Sequence, residues 1–326
     1  MVGAESVTAK GVLAAVVVVG AVAGGVVLFS SDDGATSAID QVPAEADTVA
    51  RLDMTITDDR ATQLLAVASG ASMPAVDNGS DLPATVENRT GLDPEQAREV
   101  VVFSAARNTT DPNATDYVGA VVHTDADTDT AVGNLRDAAN ESYEERTVDG
   151  QSLYAPSGAS GYWIGVLGEG QLVVGTGPAV RDSISVAAGD AEPAGGDLRT
   201  AYDGTHNRTV RFATTSPDVL LPANAGFVTN VQLYRDLRSV SGSYYLTGSR
   251  TGIELQLRAN SEANAQSVAQ ATNGTVAVVP TYVDNESTAE AVRSVTVTRE
   301  GSTVVVTYEA PMSQFQRVLG YLYGVS

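Results

Sequence analysis

The chain has no cysteine, and of its 19 basic residues only Lys10 is a lysine. Without cysteine there are no disulfides, no thiolate metal sites, no thiol catalysis and no lipid anchor on a cysteine. The only histidines are His123 and His206, so a histidine-rich metal centre is excluded. Aromatic residues make up 6% of the chain, which leaves a core built mainly of Val, Ala and Leu. No cluster of basic residues is present, and nucleic-acid binding needs one to displace counterions. Nucleophile motifs are missing too. There is no G-x-S-x-G, and S-x-x-K cannot occur when the sole lysine is at position 10. The glycines of "GVLGEG" lie between two strand-like runs, where they turn a hairpin rather than cradle a phosphate.

What is abundant is acid. Forty acidic residues give a net charge of −21, while hydrophobic residues reach 43%. Abundant Asp, Glu, Ala, Val and Thr with almost no lysine is the composition of a protein from an extreme halophile. A carboxylate-covered surface stays hydrated in molar salt, where the Debye length falls to roughly 3 Å. The acidity therefore reads as solvation rather than as a site for a cationic partner.

One long apolar run breaks this pattern. Residues 11–29 carry no charge; as a helix they would rise about 28 Å, close to the ~30 Å hydrocarbon core. Lys10 precedes the run, and Asp32 and Asp33 follow it, which favours residues 1–10 inside and the body outside. The length fits a retained single-pass anchor. Two other fates stay open. Ala21-Val22-Ala23 resembles a signal-peptidase site, and Lys10-Gly11-Val12-Leu13 resembles the leader of archaeal pilins, cut after Gly11. Gly20 and Gly24 have the spacing of a helix-dimer face, although small residues are common in membrane helices.

Sequons support export. Asn-x-Ser/Thr occurs at Asn78, Asn88, Asn108, Asn113, Asn140, Asn207, Asn273 and Asn285, all beyond the apolar run. These are glycan acceptors only on a surface that the glycosylation machinery reaches.

Residues 30–46 read as a polar linker, followed by two halves, 47–190 and 197–326. The first half begins with a strand at 48–54, a helix at 58–69, a loop and a strand at 99–105. Then come a strand at 117–124 and a helix at 128–141. Two hairpins turn at Asp149-Gly150 and Glu169-Gly170, and a helix over 177–189 has Pro178 in its first turn. "GDAEPAGGD" marks the boundary. The second half reads as a hairpin at 242–259, a helix from Ser261 to near Gly274, a hairpin turning at Glu300-Gly301 and a helix opened by Pro311. The shared ending of strand, Glu-Gly turn, strand and Pro-led helix suggests an internal duplication. Each helix has one apolar face, as at Val180, Ile184 and Ala187. The expected fold is α+β: a transmembrane helix, then mainly antiparallel sheet with helices packed on one side.

"VPAEADTVARLDM", "GLDPEQAREVVVFS", "YVGAVVHTD" and "GYWIGVLGEGQLVVGTGPAVRDSISVAAGD" resemble an uncharacterised family of haloarchaeal membrane-anchored surface proteins. More distantly, they are similar to a bacterial and archaeal domain of unknown function with a "PADT"-type opening. The resemblance covers most of the chain after the apolar run. Its motifs are strand and turn patterns, and it implies a location but no activity.

The one constellation with chemical promise is "HTDADTDT", residues 123–130. Asp125, Asp127 and Asp129 alternate like the start of a calcium loop, but its sixth position is Thr130 rather than Gly and its twelfth is Arg136 rather than Glu. An acidic turn in which Thr128 or Asp129 caps a helix explains the run better. No catalytic residue and no cofactor site is identified. The expected function is a non-enzymatic binding, envelope or assembly module, held in the membrane through residues 11–29, with a cell-surface or envelope protein as partner. The alternatives are a pilin-like subunit processed after Gly11 and a secreted metal-dependent hydrolase.

Overall fold

A computed structural model describes residues 38–54, 96–105, 117–139, 141–158, 161–206, 208, 210–216, 237–247, 250–278, 280, 286–311 and 314. The apolar run at 11–29, the helix expected at 58–69 and nearly all of the final helix lie outside them. Among the described residues no helix is long and apolar enough to cross a membrane. The chain divides into two compact units, Met1–Gly195 and Gly196–Ser326.

The first unit is built on seven strands: β1 (Thr48–Asp53), β2 (Ala97–Ala105), β3 (Tyr117–Thr124), β4 (Tyr143–Val148), β5 (Gln151–Pro156), β6 (Trp163–Gly168) and β7 (Gln171–Gly175). They run in the order β1-β2-β3-β7-β6-β5-β4, and every pairing is antiparallel. The two hairpins turn where the sequence predicts. Asp149 and Gly150 both adopt positive φ, 49° and 80°, the pairing a type I′ turn demands. Gly170 closes the second hairpin at φ 64°.

Register assigns the faces, because residues directly opposite in an antiparallel pair point the same way. Arg51, Val101, Val121, Val173, Gly165 and Leu153 share one face; Ala50, Val102, Ala120, Val174, Ile164 and Tyr154 share the other. Helix α1 (Thr128–Ala139) lies on the second face, its Arg136 guanidinium 5.3 Å from the centre of the Tyr154 ring. Helix α2 (Gly177–Ala188) lies on the first, where Val180 and Ile184 close over Gly165. The expectation of helices on one side is therefore corrected: the sheet is buried by both faces. The reason is visible in β2 and β3, whose runs "VVVF" and "VGAVV" are buried without alternation, as two covered faces require.

Pro178 opens α2, and Gly189 ends it in the left-handed region at φ 82°. Tyr117 fastens the helix to β3 by donating its hydroxyl to Asp182, 3.0 Å away. Val180 and Ile184 are fully buried, each contributing about 1.5–3 kcal/mol of apolar transfer.

The linker expected at 30–46 is shorter than its polar composition predicts. Ala38–Gln41 form a 3-10 turn, and Ala38, Ile39, Gln41 and Val42 are buried. Val42 accepts from the amide of Ala194 at 2.7 Å, and Pro43 bridges to Pro193. This segment is a strap laid over the sheet.

The second unit contains β8 (Val210–Thr214), β9 (Leu237–Thr247), β10 (Arg250–Ala259), β11 (Thr296–Glu300) and β12 (Thr303–Pro311). Their order is β11-β12-β10-β9-β8, again antiparallel. Helix α3 (Gly196–Asp203) packs on β8 and β9, where Arg211 reaches the Tyr202 carbonyl in its last turn and Gln256 the Gly204 carbonyl just beyond it. Helix α4 (Glu262–Val278) covers the alternate side chains Val240, Leu257 and Val304 with Ala265 and Val268. Helix α5 is Glu286–Arg293. Helices again occupy both faces.

Two expectations are corrected in this unit, and three elements are added to it. Helix α4 does not stop at Gly274 but continues to Val278; Gly274 has open space around it, so a helix absorbs it at a cost of about 1 kcal/mol. Pro311 does not open a helix. It ends β12, opposite Arg250 and beyond the stretch of β12 that pairs with β11. The helix expected to follow it lies almost wholly outside the described residues. Finally, α3, β8 and α5 are absent from the sequence reading, because elements of five to eight residues carry too few periods to register.

Candidate functional site

The polar centre of the first unit is a cross-strand row. Asp53 on β1 lies opposite Glu99 on β2, Glu99 opposite His123 on β3, and His123 opposite Gln171 on β7. All four are on the face that carries α2 and the strap. Arg51, one step along β1, donates its Nε–H to Glu99 Oε1 and approaches Asp53 at 3.9 Å. The side chains of Arg51, Glu99 and His123 are only 17%, 13% and 14% exposed. A buried carboxylate is tolerable only when charge and hydrogen bonds compensate it. Glu99 has both: Arg51 on one oxygen, and on the other the amide of Ala38 at 3.2 Å and His123 Nδ1 at 3.4 Å.

The strap closes the row from above. The side-chain amide of Gln41 sits between His123 Nε2, 3.3 Å from its Oε1, and Gln171, whose Oε1 accepts from its Nε2. Burial lowers the His123 pKa below its ordinary value; Glu99 opposes this and Arg51 reinforces it. Burial prevails because Arg51 already neutralises much of the Glu99 charge. Of the site predicted from sequence, only His123 belongs to this cluster. Its partners lie 24, 48 and 82 residues away in the chain, and no local motif could have revealed them.

The three aspartates of "HTDADTDT" do not converge. Asp125 pairs with Arg98 on the neighbouring strand, and Asp129 is an exposed residue of the first turn of α1. The helix is capped by Asp127, not by Thr128 or Asp129: its Oδ1 accepts from the Thr130 amide at 3.1 Å and the Thr130 hydroxyl at 3.3 Å. Among the described residues no group of three His, Asp or Glu side chains could hold a metal ion. His206 meets Glu254 at 3.0 Å on an exposed surface. Trp163 packs against Gly177, under the guanidinium of Arg181.

Asn273 is the one described sequon residue; the other seven lie outside the described residues. It is exposed, but inside α4 rather than in a loop, and its Nδ2 donates to Ala269 O at 3.0 Å.

No protein-family model matches the chain, and no curated protein matches it. Among solved structures, three crystal forms of TP0453 are similar. Form III has 10% identity and a TM-score of 0.49, over 89% of this chain and 100% of that one. Form I has 11% identity and a TM-score of 0.48, over 89% and 99%. Form IV has 10% identity and a TM-score of 0.47, over 87% and 97%.

Proposed function

We propose that this chain is a single-pass, membrane-anchored extracellular module of a halophilic archaeon, with a binding or envelope-assembly role and no catalytic one. It would be a surface protein of the kind its sequence resembles. The observation that carries the reading is the strap. Ala38 is already buried in the first unit, so only residues 30–37 separate it from the expected anchor. The nine residue steps from Phe29 to Ala38 span at most about 32 Å at full extension, so the first unit would stand close to the membrane. The buried row beneath the strap supports a structural role for the only histidine among its charged groups. His123 Nε2 faces Gln41, which ties the ring to the strap.

The sole lysine gives a direct topology test. An amine-reactive reagent that cannot cross membranes should leave Lys10 unmodified in intact cells and modify it after permeabilisation. Modification of Lys10 in intact cells would reverse the orientation. A chain found without Lys10 would instead support cleavage after Gly11 or Ala23.

A further inference from the structure

The amide of Gln41 poses a donor–acceptor problem. A neutral imidazole has one N–H, yet both ring nitrogens of His123 face oxygens: Nδ1 faces Glu99 Oε2 at 3.4 Å, and Nε2 faces Gln41 Oε1 at 3.3 Å. That arrangement satisfies an imidazolium, which donates twice. Burial favours the neutral ring. The conflict disappears if Gln41 and Gln171 each turn by half a rotation about their terminal torsion, a soft and nearly two-fold angle. The Gln171 amide then donates to Gln41 Oε1, the Gln41 amide donates to His123 Nε2, and His123 Nδ1–H donates to Glu99.

We propose that Gln171, Gln41 and His123 form a reversible relay that holds the strap shut in both protonation states of His123. When the ring is neutral, the bonds run from Gln171 through Gln41 and His123 to Glu99. When it is charged, His123 donates to both sides and the two amides point the opposite way. No bond is lost in either state; only the direction changes. Glutamine is suited to this because its amide is donor and acceptor at opposite ends of one rigid plane. The charges bearing on the ring are Glu99 from β2 and Arg51 from β1, with Asp53 beside Arg51. Gln171 on β7 is uncharged, and Asp40 in the strap is half-buried. The relay would keep the strap fixed to the body under acid conditions that charge the histidine.

The test uses the full chain in detergent micelles, 15N-labelled at histidine, where only two residues give signals. His206→Gln assigns them. The expected result is that neutral His123 carries its proton on Nδ1, with Nε2 accepting. Protection factors of the amides at residues 38–42, with the intrinsic pH dependence of exchange divided out, should stay within about twofold through the His123 titration. Gln41→Glu should break the symmetry. A carboxylate has no donor for a neutral ring, so protection factors, with the intrinsic pH dependence of exchange divided out, should be at least about tenfold lower when His123 is neutral than when it is charged. If Gln41→Glu does not fold, Gln171→Glu serves instead: it fixes Gln41 in the imidazolium-facing direction and should raise the pH at which His123 titrates. The proposal is overturned by an Nε2–H tautomer in the native protein. It is equally overturned by strap opening through the native titration, or by variants that behave like the native chain.

Discussion

Gly165→Ala probes the seam between β6 and α2 with a single methyl. A Cβ at this position would lie 2.9 Å from each of three methyls: Ile184 Cδ1, Val173 Cγ1 and Val180 Cγ1. Carbon atoms pack best about 3.5–4.0 Å apart, so each neighbour must retreat. The two valines are stiff at χ1, and Val180 and Ile184 are fully buried. Overpacking of this kind costs about 1–3 kcal/mol. Alanine recovers about 0.4–1 kcal/mol by restricting the unfolded chain. The expected net loss is about 1–2 kcal/mol, or roughly 2–8 °C in Tm. Trp163 is the only tryptophan and stands two residues from the substitution, so its fluorescence in a urea titration reports this unit. The midpoint should fall at unchanged slope. Gly133→Ala in α1 is the control with opposite sign. Nothing lies within 4 Å of its Cβ, and removing a mid-helix glycine should add about 0.5–1 kcal/mol. If Gly165→Ala were neutral or stabilising in the same titration, α2 would not sit on β6 as described.

Four further outcomes follow from the same physics. Ser183→Ala should be neutral or stabilising by up to about 1 kcal/mol by urea titration, because its buried hydroxyl has no hydrogen-bond partner among the described residues. Glu99→Gln should cost about 2–4 kcal/mol in the same assay, since it removes the buried carboxylate charge that Arg51 pairs with. The folded-state pKa of His123 is depressed, so the unfolded chain binds the proton more readily. Unfolding free energy should therefore fall as pH drops below about 6.5, and His123→Phe should flatten that part of the pH profile. Arg211→Lys should lower stability by about 1–2 kcal/mol in thermal melts. Lysine cannot reproduce the two 2.8 Å bonds to Tyr202 O and Thr205 Oγ1 together with the stack on the Tyr202 ring.

The parts of the fold that can be read from sequence are those governed by local chemistry. Asp149-Gly150, Glu169-Gly170 and Glu300-Gly301 each place a glycine at positive φ between two strands, and Pro178 and Gly189 bracket α2. What depends on distant partners cannot be read locally. "AIDQVP" looks like polar linker until β2, β3 and α2 close over Ala38, Ile39 and Val42. The apparently one-sided helices resolve into two covered faces only once strand register assigns Gly165 and Tyr154 to opposite sides. His123 is conspicuous for its rarity, but its meaning comes from Glu99 and Gln41, which tertiary structure alone brings to it. The acidic run after it is local chemistry of a simpler kind: Asp127 caps α1, one position before the residues that composition favoured.

The proposed arrangement is an intact anchor at residues 11–29 followed, nine residue steps on, by the buried Ala38. Mass spectrometry of the protein taken from its native membranes tests it most directly. The account predicts peptides that span the Gly11–Val12 and Ala23–Gly24 bonds, recovered with the membrane fraction. A mature chain that begins at Val12 or at Gly24 would contradict it.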